Sequence, residues 1–358
     1  MKSSPSISRF DRLKRYGAAL GLGVLSGWLA SLAGLPLPWM LGPMIGNTVA
    51  ALAGAPTLGP LALRPIVIPI IGVMLGSGFK PEIFEQIGDW VSTLAILPVF
   101  IALAAGSVWL FYRRVGGYDP VTAYFSAMPG GFNEMILLGA EAGGDDRKIA
   151  LAHAVRILFV VSFVALFFGV VVGVSSQSSG GQGVPLTGLT VLDAAVLTLC
   201  AVAGVYLGRL LRLPAANLLG PMLLSSAAHL ATITEVPPPN LLIVAAQIVI
   251  GTIIGCRFVG ARLKDIGRDM MLGAGASLIA IAAAVLCAEL VVLMTGLPLS
   301  LVFLAFSPGG LTEMSLLAVA LGQNIAYVSL AHVARIVMVI FAAPLAFRLG
   351  RGWFNQKP

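Results

Sequence analysis

The chain has 358 residues, of which 58% are hydrophobic and 10% charged, with a formal net charge of +7 and a mean hydropathy of +0.97. Charged residues make up about a quarter of an ordinary soluble domain, so this composition excludes one and calls for a polytopic helical membrane protein. The excess of lysine and arginine is explained by loops that orient such a protein rather than by nucleic acid.

In chain order, Lys2, Arg9, Arg12, Lys14 and Arg15 precede an apolar run from Tyr16. That order resembles a secretory leader, but with many apolar segments behind it the run reads as an uncleaved first helix with a cytoplasmic basic end. Spans are predicted at 16–33, 40–53, 65–79, 90–112 and 149–173, then at 190–208, 215–232, 240–256, 270–295 and 326–347. An interrupted stretch precedes the last span of each set, at 120–143 and 299–322. A Ser/Gly-rich stretch, 175–183, reads as a flexible linker. The expected organisation is a basic N-terminus (1–15), a first membrane repeat (16–174), a linker (175–189), a second repeat (190–348) and a basic tail (349–358). Cys200, Cys256 and Cys287 lie in or at the ends of spans, at no metal-like spacing, and read as small buried hydrophobes.

The repeat is literal. Pro129-Gly130-Gly131-Phe132-Asn133-Glu134-Met135 and Leu151-Ala152-His153-Ala154-Val155-Arg156-Ile157 return 179 residues later. The second copy reads Pro308-Gly309-Gly310-Leu311-Thr312-Glu313-Met314 and Leu330-Ala331-His332-Val333-Ala334-Arg335-Ile336. Leu41-Gly42-Pro43-Met44 returns as Leu219-Gly220-Pro221-Met222 at an offset of 178, and Gly72 and Gly76 return as Gly251 and Gly255 at 179. The Leu-Gly-Pro-Met elements are expected to kink their spans or to start broken helices.

Charge sets the topology. If each Pro-Gly-Gly stretch is re-entrant, each repeat crosses five times and 19 loop lysines and arginines lie inside against Lys80 alone outside. If it crosses fully, the same charges divide 11 to 9. The positive-inside rule prefers the first arrangement. The expected fold is therefore all-α, with two inverted five-helix repeats, each carrying a broken or re-entrant segment, and both termini cytoplasmic.

Proline and glycine within an apolar stretch interrupt a helix. Asn133 and Thr312 are good N-cap types, so a short helix is expected to start at each, its positive end pointing inward. Such breaks at membrane depth are tolerated only where protein or water satisfies the backbone, and paired breaks in inverted repeats point to a solute site. Glu134 and Glu313 follow the caps. They are either simple helix-end charges or ligands for a coupling cation or proton. His153 with Arg156, and His332 with Arg335, share a helix face at i, i+3. Arg156 lies about 12 Å into its span and needs a partner there: Glu134 or Glu313, backbone carbonyls of the break, or an anionic solute. The histidines either titrate or donate one packing hydrogen bond. Gly130, Gly131, Gly309 and Gly310 complete the candidate solute site. Asn47, Asn217 and Gln247 either line a path or bond between helices, and His229 has no counterpart in the repeat. No catalytic residue and no metal site is expected. The three histidines lack ligand-spaced neighbours, and the aspartates of Tyr118-Asp119 and Gly143-Gly144-Asp145-Asp146 read as solvated loop residues.

The duplicated Leu-Gly-Pro-Met, Pro-Gly-Gly-x-x-Glu-Met and Leu-Ala-His-x-x-Arg-Ile elements resemble the AbrB-duplication family of bacterial integral membrane proteins, over about 16–348. Members are often labelled ammonia monooxygenases or regulators of gene expression, and are unrelated to the small DNA-binding regulator of the same name. The resemblance implies kinship with cation–proton antiporter and anion transporter folds, including the bile-acid sodium symporters. The monooxygenase label fits these residues poorly. The resulting expectation is a secondary transporter of the bacterial inner membrane, moving a small anionic solute by alternating access. Na+ or H+ are the candidate coupling ions, no other cofactor is expected, and a homodimer is the candidate assembly. The alternative is a membrane-embedded ligand sensor or regulator.

The charge argument has a direct test. Single cysteines at Ser178 and Gly144, in a background lacking the native three, should react with impermeant reagent from opposite sides of the membrane. Reaction from one side only would end the five-plus-five arrangement.

Overall fold

The computed structural model describes residues 8–81, 87–171, 173, 183–261 and 263–350. Residues 175–182 of the expected linker and the basic tail at 351–358 lie outside the described residues, as do residues 1–7. Among the described residues the regular structure is helical. Helices α1 (Arg9–Leu32), α2 (Pro38–Leu52) and α3 (Arg64–Gly76) are followed by α4 (Ile87–Phe111). Two short helices, α5 (Pro120–Ala127) and α6 (Phe132–Glu141), precede α7 (Asp146–Val170). The order then repeats as α8 (Val191–Leu210), α9 (Ala216–Leu230), α10 (Asn240–Gly255), α11 (Leu263–Thr295), the short α12 (Leu299–Phe306) and α13 (Leu311–Ala320), and α14 (Ile325–Leu349).

Each of the ten expected spans coincides with a helix, and six of the helical stretches are long and apolar enough to cross a membrane: Thr93–Gly116, Asp146–Val170, Val191–Leu210, Asn240–Phe258, Ile266–Thr295 and Ile325–Leu349. Helices α2, α3 and α9 have 15, 13 and 15 residues, about 20–23 Å at the helical rise and short of a hydrocarbon core of about 30 Å. Helix α1 starts earlier than expected. Ser8 caps it by accepting from the Asp11 N–H (3.1 Å), so Arg9, Arg12, Lys14 and Arg15 ride on its first two turns.

Turns fix where the short helices begin and end. Leu37 (φ 48) stands in the left-handed region just before α2, and Gly34 (φ 70) and Gly54 (φ 85) bracket the same segment. Arg212 (φ 53), Ala215 (φ 49) and Thr232 (φ 55) repeat these three turns around α9 at an offset of 178. The Leu-Gly-Pro-Met elements start no broken helix; Pro43 and Pro221 lie inside continuous helices.

The chain divides into two compact units that draw on both sequence repeats: Met1–Ser77, Ala165–Ala228 and Thr232–Ile266 in one, and Gly78–Val164, His229–Ala231 and Gly267–Pro358 in the other. In the first unit, α1 packs on α2 and α10, α2 on α10, α3 on α10 and α8. Its crossings depend on glycine. A Cβ on Gly72 of α3 would lie 2.5 Å from the Leu218 carbonyl oxygen and 3.1 Å from Pro221 Cβ, and one on Gly76 would lie 2.5 Å from the Met222 oxygen. The same contacts recur with the repeats exchanged. Gly251 of α10 meets the Met40 oxygen and Pro43 Cβ of α2, and Gly255 meets the Met44 oxygen. These are small-x-x-x-small contacts, which let backbones approach where helix–helix association rests on close packing. Asn47 is buried here and donates to the carbonyls of Ala19 (3.2 Å) and Pro43 (3.0 Å), so it bonds between helices. The three cysteines are free and buried.

In the second unit, alanines surround α5. Ala123 and Ala127 pack with Val108, Tyr112, Ala152, Leu272, Ala276 and Ala280. Tyr124 and Phe125, on the same short helix, pack with Met135, Ile149, Val339 and Ala343, and the Tyr124 hydroxyl donates to the Ala343 carbonyl (2.8 Å).

Gly72→Ala and Gly251→Ala should each lower stability by about 1–3 kcal/mol, the cost of overpacking. Gly106→Ala in α4, where a Cβ meets nothing within 4 Å, should be neutral or stabilising by about 0.5–1 kcal/mol. Thermal unfolding of the purified variants in detergent measures all three.

Candidate functional site

Both Pro-Gly-Gly segments break a helix. Met128–Gly131 separates α5 from α6, and Ser307–Gly310 separates α12 from α13. Each break strands polar backbone at two helix ends: carbonyls at the close of the first short helix and N–H groups at the start of the second. The next long helix of each copy supplies donors to the carbonyls, and a glutamate stands at each N–H end.

The carbonyl ends are fastened by the histidine–arginine pair of the next long helix. In the first copy His153 Nε2 donates to the Phe125 carbonyl (2.9 Å), Arg156 Nη1 donates to the Met128 carbonyl (2.9 Å), and Arg156 Nη2 donates to His153 Nδ1 (2.6 Å). In the second copy His332 Nε2 donates to the Leu304 carbonyl (2.9 Å) and Arg335 Nη1 to the Ser307 carbonyl (2.5 Å). Arg335 Nη2 donates to the Gly309 carbonyl (2.8 Å) and to His332 Nδ1 (2.9 Å). A carbonyl only accepts and a guanidinium only donates, so both imidazoles are held as the neutral Nε2–H tautomer. Of the partners open to Arg156, the structure selects the backbone carbonyls. The ion pair of Lys148 with Asp145, at 3.9 Å, involves neither arginine.

The N–H ends carry the glutamates. Helices α6 and α13 are capped by Gly131 (φ −64, ψ 137) and Gly310 (φ −78, ψ 152), not by Asn133 and Thr312, which occupy the second helical position. The helices begin two residues earlier than expected because an extended glycine serves as N-cap and Glu134 and Glu313 fall at the third helical position, where a glutamate reaches back over the cap. A Cβ on either glycine would overlap the glutamate Oε2. Glycine thus leaves room for a carboxylate over the positive helix end. Gly130 is packed as closely: a Cβ there would lie 2.8 Å from Val339 Cγ1.

The two breaks meet. Pro129 and Pro308 line one small cavity together with Tyr112, Ser126, Arg156 and Ser277. Its volume is about 10 Å³, the space of about one water molecule. Ser126 and Ser277 were not singled out from the sequence, because repeat matching passes over them: their counterparts at an offset of 179 are Ala305 and Pro98.

The copies differ in how far they are closed. Arg335, His332 and Glu313 are 3%, 0% and 7% exposed. Arg156, Glu134, Gly130 and Gly131 are only half-buried, although His153 is buried. Arg335 also grips the Gly309 carbonyl, while Arg156 makes no bond to its counterpart in Gly130.

On the loop before α5, Tyr118 donates to Asp269 Oδ1 (2.9 Å), and Arg113 Nη1 donates to the Tyr118 carbonyl (2.7 Å). Burial, then the Asp269 carboxylate, holds the Tyr118 phenol well above its ordinary range, so it remains a donor at physiological pH.

The family described as "Transition state regulatory protein AbrB" matches residues 4–351. "Uncharacterized protein YhjN" of Bacillus subtilis (strain 168) is 26% identical over 363 residues, covering 94% of each chain. "Putative regulator AbrB" of Escherichia coli (strain K12) is 26% identical over 322 residues, covering 88% of this chain and 90% of that one.

Arg335→Ala strands three acceptors, two of them backbone carbonyls, and Arg156→Ala strands two. At about 1–3 kcal/mol for each buried group left unsatisfied, both should be destabilising and Arg335→Ala the more so. Arg335→Lys should restore little, since an ammonium lacks the planar fork. Thermal unfolding ranks the three variants.

Proposed function

The chain belongs to the AbrB family, and we propose that it is a secondary transporter of a small anionic solute, working by alternating access. The observation that carries this reading is the duplicated fastening: two broken helices, held by identical His–Arg pairs, meet at one cavity, with one copy closed and the other partly open. Broken helices that meet within a bundle are the usual site of secondary transporters. Two copies of one structure in unequal states are what alternating access requires, since the opposite state follows by exchanging their roles.

The glycine crossings, which recur with the repeats exchanged, support a two-fold relation between the repeats, and the loop charges favour an inverted arrangement of five spans each. In this reading the Pro-Gly-Gly segments are re-entrant, the protein resides in the bacterial inner membrane, and both termini are cytoplasmic. Arg156, Arg335 and the N-termini of α6 and α13 supply the positive potential that draws an anion. Glu134 and Glu313 lie where a coupling Na+ or H+ would compete with the helix end for the carboxylate. No catalytic step is assigned to these residues. The name of the E. coli relative favours a second reading, a ligand sensor that governs gene expression from the membrane.

The two readings differ in whether solute moves. In liposomes, Glu134→Gln and Glu313→Gln should each abolish flux of the transported organic anion while leaving the protein folded, because a cycle that exchanges the two halves needs both. Wild-type protein that binds a solute tightly, yet never moves it under any imposed ion or voltage gradient, would instead make the sensor reading the better one.

A further inference from the structure

The cavity where the breaks meet is lined by two polar side chains with unpartnered groups. Ser126, on the last turn of α5, is 3% exposed, and its Oγ has no hydrogen-bond partner. Arg156 spends its two terminal nitrogens on Met128 and His153, and its Nε has no partner either. Both residues line the cavity. Of the other lining hydroxyls, those of Tyr112 and Ser277, the second donates to the Gly273 carbonyl (2.7 Å). In the second copy the pattern returns, with Arg335 Nε and Ser307 Oγ buried and unpartnered.

Buried polar groups are almost always paired, and an exception calls for a reason. Two unpartnered groups on residues that line one cavity call for one shared acceptor. A water molecule would serve geometrically, but charge favours an anion. Among the described residues no carboxylate pairs with Arg156 within 4.0 Å, and its carbonyl partner supplies only partial negative charge. A cation in a low-dielectric site with partial charges alone around it attracts a counter-ion strongly. Size limits the choice: about 10 Å³ admits one atom-sized occupant and no polyatomic solute.

We propose that the crossing of the two broken helices is a halide site, in which a single chloride accepts from Arg156 Nε and Ser126 Oγ beside Pro129 and Pro308. This deepens the transport reading above, since it places a monatomic anion at the site assigned to the solute. An organic anion would then have to open the cavity and displace the chloride.

The test is thermal unfolding of the purified full-length protein at fixed ionic strength, with chloride exchanged for gluconate. Wild type should melt several degrees higher in chloride, because a ligand bound only by the folded state stabilises it by mass action. Bromide should substitute for chloride. Ser126→Ala should lose at least half of the chloride-dependent shift, yet in gluconate melt no lower than wild type, because it deletes an unpaired buried hydroxyl. Equal melting of wild type in chloride and gluconate would mean that water fills the cavity, and would overturn the proposal. Stabilisation by acetate with chloride inert would overturn it too, as would an undiminished chloride shift in Ser126→Ala. None of these results bears on whether liposomes show solute flux, so the halide site and the transport reading fail separately.

Discussion

A broken helix within an apolar bundle has to satisfy its own stranded backbone, and the rest of the second unit follows from that constraint. Water is scarce among the alanines packed around α5, so the carbonyls of Phe125 and Met128 need donors from the protein itself. A guanidinium is suited to this because its planar fork reaches several acceptors at once and stays charged. Placing histidine one turn before the arginine lets one helix face deliver donors to two carbonyls three residues apart. That requirement sets α7 against α5 and α14 against α12, and so fixes which helices neighbour the breaks.

Electrically, each broken helix is closed on itself. Arginine faces the negative carbonyl end and glutamate the positive amide end, so the opposed half-dipoles are each matched by a full charge of opposite sign. Arg156 and Arg335 are held by backbone carbonyls and imidazole nitrogens, whose partial charges are weaker competitors than a formal counter-ion. A mobile ion can displace such a partner at lower cost than it could break a buried ion pair.

Much of this was legible in the sequence, because its main signals are local. Apolar runs located every span helix, and the exact spacing of the two motif copies located both breaks and identified the pair His153 and Arg156 as sharing one face. The start of α6 was misplaced by two residues. Propensity favours Asn133 as a cap, whereas the extended conformation of Gly131 and the reach of Glu134 decide the matter, and neither is visible without backbone geometry. Ser126 was invisible for a different reason. It has no counterpart in the second copy, and its importance arises from a cavity that Ala276, Ser277 and Pro308 help to form from 150 or more positions away. The interleaving of both repeats in each compact unit was likewise beyond any local signal, since it depends on long-range packing such as that of Gly72 on Leu218.

The left-handed turns around α2 and α9 record how such a duplicated chain diverges. Gly34 and Gly54 adopt their backbone conformation freely, but the same conformation is held by Arg212 and Thr232 in the second copy. An L-residue with a side chain is disfavoured there by about 1–2 kcal/mol, and a branched Cβ such as that of threonine makes the fit worse. The geometry is thus the same in both copies although only one carries the residue type that best tolerates it. The helices these corners join are held by close glycine contacts, and a held scaffold can carry local strain that an isolated turn would relax. The second copy is in this sense a cast of the first, preserving its shape in less suitable material.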